Sequence, residues 1–435
     1  MNKIKRAALL LVILCSSSEL FAQHKLTIEQ MFELAEQNSK SIKTFDIAHK
    51  EAAQAVKVAK NGRLPSIDAS LSFSYLGDGW MADRNFSNGF NAPMPHFGNN
   101  FAIEASQVIY AGGAINSTIA IAELSEQLAG LSKDNNRQDI LFLLVGNYLE
   151  MCKLNNQEIV YIENIKQTER LLSDMRAKQA QGVVLDNDIT RYELQLKTME
   201  LMLVQVQNGR TIINNELVCV LGLPEQTLIE VDSSVADALV RVDSEEYWQQ
   251  MGITESPLLK QANIGVEISK KNEKLVRSER LPSLALFAGD KLDGPIIIEV
   301  PPINKNFNYW YAGIGIKYNI ASIYKTKKKT IQARLGIERA AEQKNLMEEQ
   351  LETAINGAYI RFTESFTIHQ TQLKNLELAS QNYDVISQRY INELVTITDM
   401  LDASNSKLTA ELQVSNSRIN ILFNYYKLKK ASGTI

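Results

Sequence analysis

The sequence predicts a mainly helical chain that carries a small membrane-spanning β component and is built as a duplication. Three observations predict it: two long proline-free stretches of helical periodicity, four short segments of strand character, and the recurrence of Arg63-Leu64-Pro65-Ser66 as Arg280-Leu281-Pro282-Ser283. Composition sets the background. With 435 residues, 45% apolar and 22% charged, the chain has globular character, and its net charge of -4, with Lys and Arg spread along helices, argues against a nucleic-acid partner.

Lys3-Ile4-Lys5-Arg6 followed by the apolar run 7–14 has the form of a secretory signal peptide, too short to span a bilayer. Cleavage after Ala22 is expected, giving a signal over 1–22; lipidation at Cys15 is the alternative, although Leu14 stands where a small residue belongs. Cys152 and Cys219 then remain. Measured along the arms of a hairpin turning near Gly182, they differ in height by roughly 10 Å, beyond disulfide reach.

The first repeat covers 23–224. A helix is expected over 26–60, capped by Thr27 and ended by Gly62. Ile67, Ala69, Leu71, Phe73 and Tyr75 alternate with Asp68, Ser70, Ser72 and Ser74, the period-two pattern of a strand. A Gly-, Asn- and Pro-rich loop is expected over 77–100 and a second strand over 101–110. After Gly112-Gly113 the period turns helical. An outgoing arm (Ile140, Leu144, Asn147, Met151 through Leu172 and Met175) and a returning arm (Leu185, Ile189, Tyr192 through Leu217 and Val220) both step by four and three around Gly182. The outgoing arm would be on the order of 100 Å long and must lie along a neighbour.

Residues 225–256 read as an irregular linker containing Trp248. The second repeat, 257–430, runs through a helix, strands expected over 284–292 and 309–320, and a second long hairpin; 431–435 is a tail. Trp310, Ala312, Ile314, Ile316, Tyr318 and Ile320 are expected on one face of the fourth strand. The outgoing arm of the second hairpin shows Ile355, Tyr359, Phe362, Phe366 through Tyr390, and the returning arm Leu401, Asn405, Leu408, Leu412, Ser415, Ile419, Leu422 and Tyr426.

Strands of about ten residues suffice to cross a bilayer when tilted, and an open sheet edge in lipid is prohibitive. Four strands cannot close a barrel. Several chains must pool them, a dimer giving eight and a trimer twelve. The competing reading is a soluble periplasmic coiled-coil scaffold with two small hairpins.

The duplication, the paired Arg-Leu-Pro-Ser entries, the turn Tyr110-Ala111-Gly112-Gly113 and the segment Ile397-Thr398-Asp399-Met400-Leu401-Asp402-Ala403 together resemble a TolC-type outer-membrane efflux protein. The resemblance implies a homotrimer whose twelve-stranded outer-membrane barrel continues into a twelve-helix periplasmic tunnel, with 225–256 and the residues after Lys430 in an equatorial belt. It also implies a passive exit duct in the outer membrane, receiving substrate from an inner-membrane pump through a periplasmic adaptor. An ATP-driven type I protein secretion system uses the same family and is the alternative within transport.

On this resemblance Asp399 and Asp402, three apart on one helix face, would form stacked carboxylate rings at the tunnel entrance, with Asp188 as their counterpart in the first repeat and Tyr390 packing the closure. Acids near a helix start are also favoured for ordinary reasons. Val395 occupies the place where some relatives carry a basic latch residue. The tips, Gly182 and Val183 in the first hairpin and Glu393 and Leu394 in the second, would dock the adaptor; Glu393 departs from the usual glycine. Val183 and Leu394 could instead simply staple the turns. Lys325, Lys327, Lys328 and Lys329 could meet lipid headgroups of the outer membrane or begin a solvated helix. No phosphate loop, catalytic constellation or metal-ligand spacing appears, so no cofactor, no metal and no enzymatic activity are expected.

Overall fold

The computed structural model describes residues 24–232, 235, 242–299, 301–392 and 394–435. The expected signal, Cys15 and Glu393 lie outside the described residues. In chain order the elements are β1 (His24–Leu26), α1 (Ile28–Asn38), α2 (Lys40–Lys60), β2 (Ser66–Tyr75), β3 (Gly79–Met81), β4 (Phe90–Ala92), β5 (Phe97–Ala111), α3 (Ala114–Gln179) and α4 (Asp186–Leu221). There follow β6 (Ile229–Val231), α5 (Glu245–Glu255), α6 (Pro257–Ser278), β7 (Ser283–Gly294), β8 (Phe307–Lys317), α7 (Ser322–Ile391) and α8 (Ile397–Ala431). The helix–strand–strand–hairpin order is taken twice, as the motif pair indicates.

The chain divides into two compact units. One comprises Ala48–Gly130 and Gln261–Asn345 and holds the principal sheet. Its four strands run in the order β2-β5-β7-β8, every neighbouring pair antiparallel. The central pairing, β5 on β7, joins the second strand of one repeat to the first of the other, with an irregularity between Val108 and Tyr110. Register fixes two faces. Ile67, Leu71 and Phe73 share one with Phe101, Ile103, Leu284, Leu286, Trp310, Ile314 and Ile316. That face is apolar and exposed, its chief exception being Asp290, which accepts from Asn308 Nδ2 at 2.9 Å. Trp310, Ala312, Ile314 and Ile316 lie together as expected, but the strand stops at Lys317. The opposite face carries Asp68, Ser70, Ser72, Glu104, Lys291 and Asp293.

Two further features differ from the sequence reading. β5 begins at Phe97, because Phe97, Asn99 and Asn100 continue the ladder with Tyr75, Phe73 and Ser72. The loop before it contains its own short hairpin, β3 on β4, with the Trp80 ring laid against Gly89. Backbone pairing, which composition does not show, decides both. At the helical end of this unit Lys60 pairs with Glu123 at 3.2 Å and Lys329 with Glu279 at 2.8 Å, so one of the four expected headgroup lysines is engaged within the protein.

The other unit gathers the described residues up to Ile47 with Leu131–Lys260 and Leu346–Ile435. Its largest core packs Met31, Ala35, Leu144, Tyr148, Leu217, Leu221, Ile419 and Leu422. The described parts of the linker carry regular structure that its composition does not indicate. β6 pairs in parallel with β1, and buried Asn214 fixes the approach by donating to Thr227 O and accepting from Ile229 N, both at 2.9 Å. Trp248 on α5 is buried against Ile355, Phe362 and Leu428. The tail closes on the same unit: Gln138 Nε2 donates to Gly433 O at 2.9 Å, and a Cβ on Gly433 would stand 2.8 Å from Ser256 Cα. Both Cys152, buried, and Cys219, exposed, are free thiols.

Candidate functional site: the hairpin tips

Each tip is built by a helix that ends, turns and restarts. α3 ends at Gln179; Gly182 then takes a left-handed φ of 79°, which an L side chain adopts only with strain, and Val183 N donates back to Lys178 O at 3.1 Å. α4 starts without a side-chain cap at Leu185, although Gln179 Nε2 reaches the Asp186 carboxylate across the turn. In the second hairpin α7 ends at Ile391 and Leu394 N donates to Arg389 O at 2.9 Å. Thr396 then caps α8. Its Oγ1 accepts from Asp399 N at 3.3 Å, while Asp399 Oδ2 accepts from Thr396 N at 2.9 Å and from its hydroxyl at 2.6 Å. These hydrogen bonds, the hydroxyl's foremost, hold the Asp399 carboxyl below its ordinary range.

The tips are joined by a buried cluster. Leu172, Met175, Ile189 and Tyr192 of the first hairpin meet Ile397 and Met400 of the second, with Tyr383, Ile386 and Tyr390 half-buried at its margin. Burial, and then the charge of nearby Asp188, raises the Tyr390 phenol above its ordinary range. Tyr192 is more deeply enclosed, and among the described residues its hydroxyl finds no hydrogen-bond partner. Arg191 Nη1 donates to Thr398 Oγ1 at 2.7 Å, a direct polar link between the hairpins. A groove lined by Lys178, Val183, Asp188, Arg191, Tyr390 and Val395 lies beside it.

Of the residues expected here, Asp188, Tyr390, Val183 and Val395 are brought together. Asp399 and Asp402 are exposed on the first turns of α8, with Asp399 committed to the cap. Gly182 and Leu394 occupy the turns themselves. Sequence reading missed Arg191 and Thr398, which lie off the apolar seam; the only signal was Tyr192, the seam residue next to Arg191. Leu401, expected on the seam, packs half-buried against this cluster, while Met400 and Ala403 beside it are the fully buried residues. α8 packs against its own hairpin partner and the first hairpin at once, so its buried face shifts from a simple two-helix seam.

Further along, the hairpins meet through polar side chains. Asn164 Nδ2 donates to Glu411 Oε2 at 2.9 Å, Gln157 Nε2 to Asn416 Oδ1 at 3.0 Å, and Gln195 Nε2 to Asn405 Oδ1. Glu158, a polar interruption of the seam, receives Arg210 and Gln207. Among the described residues no group of His, Cys, Asp and Glu could hold a metal ion, and no helix is long and apolar enough to cross a membrane.

Solved structures of outer-membrane channels share this fold of paired long helices and an antiparallel sheet. VceC of Vibrio cholerae aligns with a TM-score of 0.77 at 14% identity, over 93% of this chain and 96% of that one. The CmeC outer membrane channel of Campylobacter jejuni gives 0.75 at 14%, over 96% and 90%, and the open state of the MtrE outer membrane channel of Neisseria gonorrhoeae 0.73 at 14%, over 93% and 88%. In sequence, residues 31–223 match the family described as outer membrane efflux protein, bearing out the resemblance carried by the repeated motifs. No curated protein matches the chain in sequence.

Proposed function

We propose that this protein is the outer-membrane exit channel of a tripartite efflux system, a homotrimer that passively conducts substrates handed over by an inner-membrane pump through a periplasmic adaptor. The observation that carries the reading is the sheet: one face is apolar and exposed along strands of 10 to 15 residues, and among the described residues its edge strands β2 and β8 have no further strand partner. In lipid such edges must pair, and the edges of like chains can close a ring. The family match over 31–223 and the shared fold support the same assignment.

In this reading the tips form the periplasmic entrance. Asp399 and Asp402, with Asp188 beside Tyr390, place negative charge where cations would enter. The Arg191–Thr398 bond and the Tyr192–Met400 cluster hold the second hairpin on the first, taking the place of a latch at Val395. Gly182, Val183, Leu394 and Glu393 would meet the adaptor.

The test is purification from fractionated membranes followed by planar-bilayer recording. Trimers recovered with the outer membrane that give uniform unitary currents support the reading. A detergent-independent soluble monomer overturns it in favour of a periplasmic scaffold.

A further inference from the structure

The polar face of the sheet carries an unexpected strip of aromatic rings. Register places Glu104, Gly289 and Tyr311 in one row across three strands. The Tyr311 ring lies over Gly289, where an added Cβ would stand 2.7 Å from it, and its hydroxyl donates to Glu104 Oε1 at 2.6 Å. Lys291 Nζ meets the same carboxylate at 2.9 Å and sits 5.7 Å from the Tyr311 ring centre. Phe287 lies in the same way over Gly313, 2.8 Å from the position of its missing Cβ. Tyr309 and Phe307 extend the line along β8. Centre-to-centre distances are 6.1 Å from Phe287 to Tyr311, 6.3 Å from Tyr311 to Tyr309 and 5.4 Å from Tyr309 to Phe307.

Wall construction explains two of the rings, since aromatic side chains that cover glycines stabilise a sheet. It does not explain Tyr309 and Phe307. Neither is among the nearest neighbours of any described glycine, and in the single chain both rings are exposed, Phe307 at 54%. The rest of this face carries Ser, Asn, charged groups, small residues and Val108, which give two further rings at the end of β8 little apolar surface to cover.

We propose that this strip is a contact track for planar aromatic cations, with Tyr309 and Phe307 as its binding surface. The proposal rests on the channel reading, in which the polar face lines the lumen. Ring faces attract cations through their quadrupole and stack on planar solutes. The same face adds net negative charge, with Asp68, Glu104 and Asp293 against Lys291 and Lys317. Several weak contacts in series slow a passing solute without trapping it, the condition for conduction.

The experiment is single-channel recording of the full protein with N-methylquinolinium or tetraethylammonium added on the side of the loop between β7 and β8. Brief interruptions are expected with N-methylquinolinium and far fewer with tetraethylammonium, which has the charge without the plane. In the F307L/Y309L variant the N-methylquinolinium dwell time falls at least about threefold, the effect of losing two exposed cation–ring contacts, and uniform unitary currents show that the variant still assembles, since Phe287 and Tyr311 still cover their glycines. Equal interruption by both cations, or an unchanged dwell time in the variant, overturns the track and leaves the channel standing. Absence of unitary current from the unsubstituted protein overturns the channel reading and the track with it.

Discussion

Arg191, in the second turn of α4, donates from Nη1 to Thr398 Oγ1 in the first turn of α8 at 2.7 Å, tying the tip of one hairpin to the start of the other's returning arm. The contact is exposed and its donor charged, so it contributes on the order of 1 kcal/mol. Arg191→Gln is expected to raise the population of loosened tips roughly fivefold. Single-channel recordings check this through more frequent or larger openings. A double-mutant cycle with Thr398→Val should show non-additivity, because either change removes the same bond.

The two acids of α8 separate by role. Asp402 takes no part in the cap, so Asp402→Asn should weaken block by multivalent cations from the tip side with no change in helix start. Asp399→Asn removes the charge but keeps a side-chain acceptor for the cap. Together the substitutions should reduce block by roughly tenfold. Unchanged block would remove both from the entrance.

Acid should loosen the second tip before the first. The folded Asp399 carboxyl titrates below its unfolded value, so its contribution is fully present above the ordinary aspartate range near about 4 and is lost as pH falls through the lower folded value. Hydrogen exchange, corrected for intrinsic rate, should show protection at the Thr396 and Asp399 amides declining in that acid window. In Asp399→Asn that decline should be absent. The first tip, capped at Leu185 without a side-chain acceptor, gives the internal comparison.

Trp248 anchors the former linker. Its ring meets Tyr425 edge-on at 6.1 Å and is packed by Ile355, Phe362 and Leu428. Trp248→Ala should cost about 3–5 kcal/mol, the usual range for an emptied aromatic site. Denaturant titration in detergent checks the size of the loss.

Local periodicity made much of this molecule legible. The step of four and three placed α3 and α7 nearly to length, Gly182 marked a turn that its positive φ requires, Thr27 marked a cap, and alternation located the strands and the apolar face of β8. The tip acids and Tyr390 were legible as candidates, because polar residues at a hairpin end stand out against a regular seam. Arg191 and Thr398 were not. Each looks like an ordinary surface residue until the two hairpins are set side by side.

The sequence by itself determined the duplication, the main element types, the two chemistries of the first strand and the apolar face of the fourth, since these depend on residues a few positions apart. Only the tertiary structure decided that β5 pairs with β7, that β6 pairs with β1, that Met400 meets the first hairpin's Met175 and Tyr192 cluster, and that Tyr311 crosses Gly289 to reach Glu104. Each of those is a contact between segments far apart in the chain, and its geometry is set by packing and hydrogen-bond satisfaction in three dimensions, which no local pattern encodes.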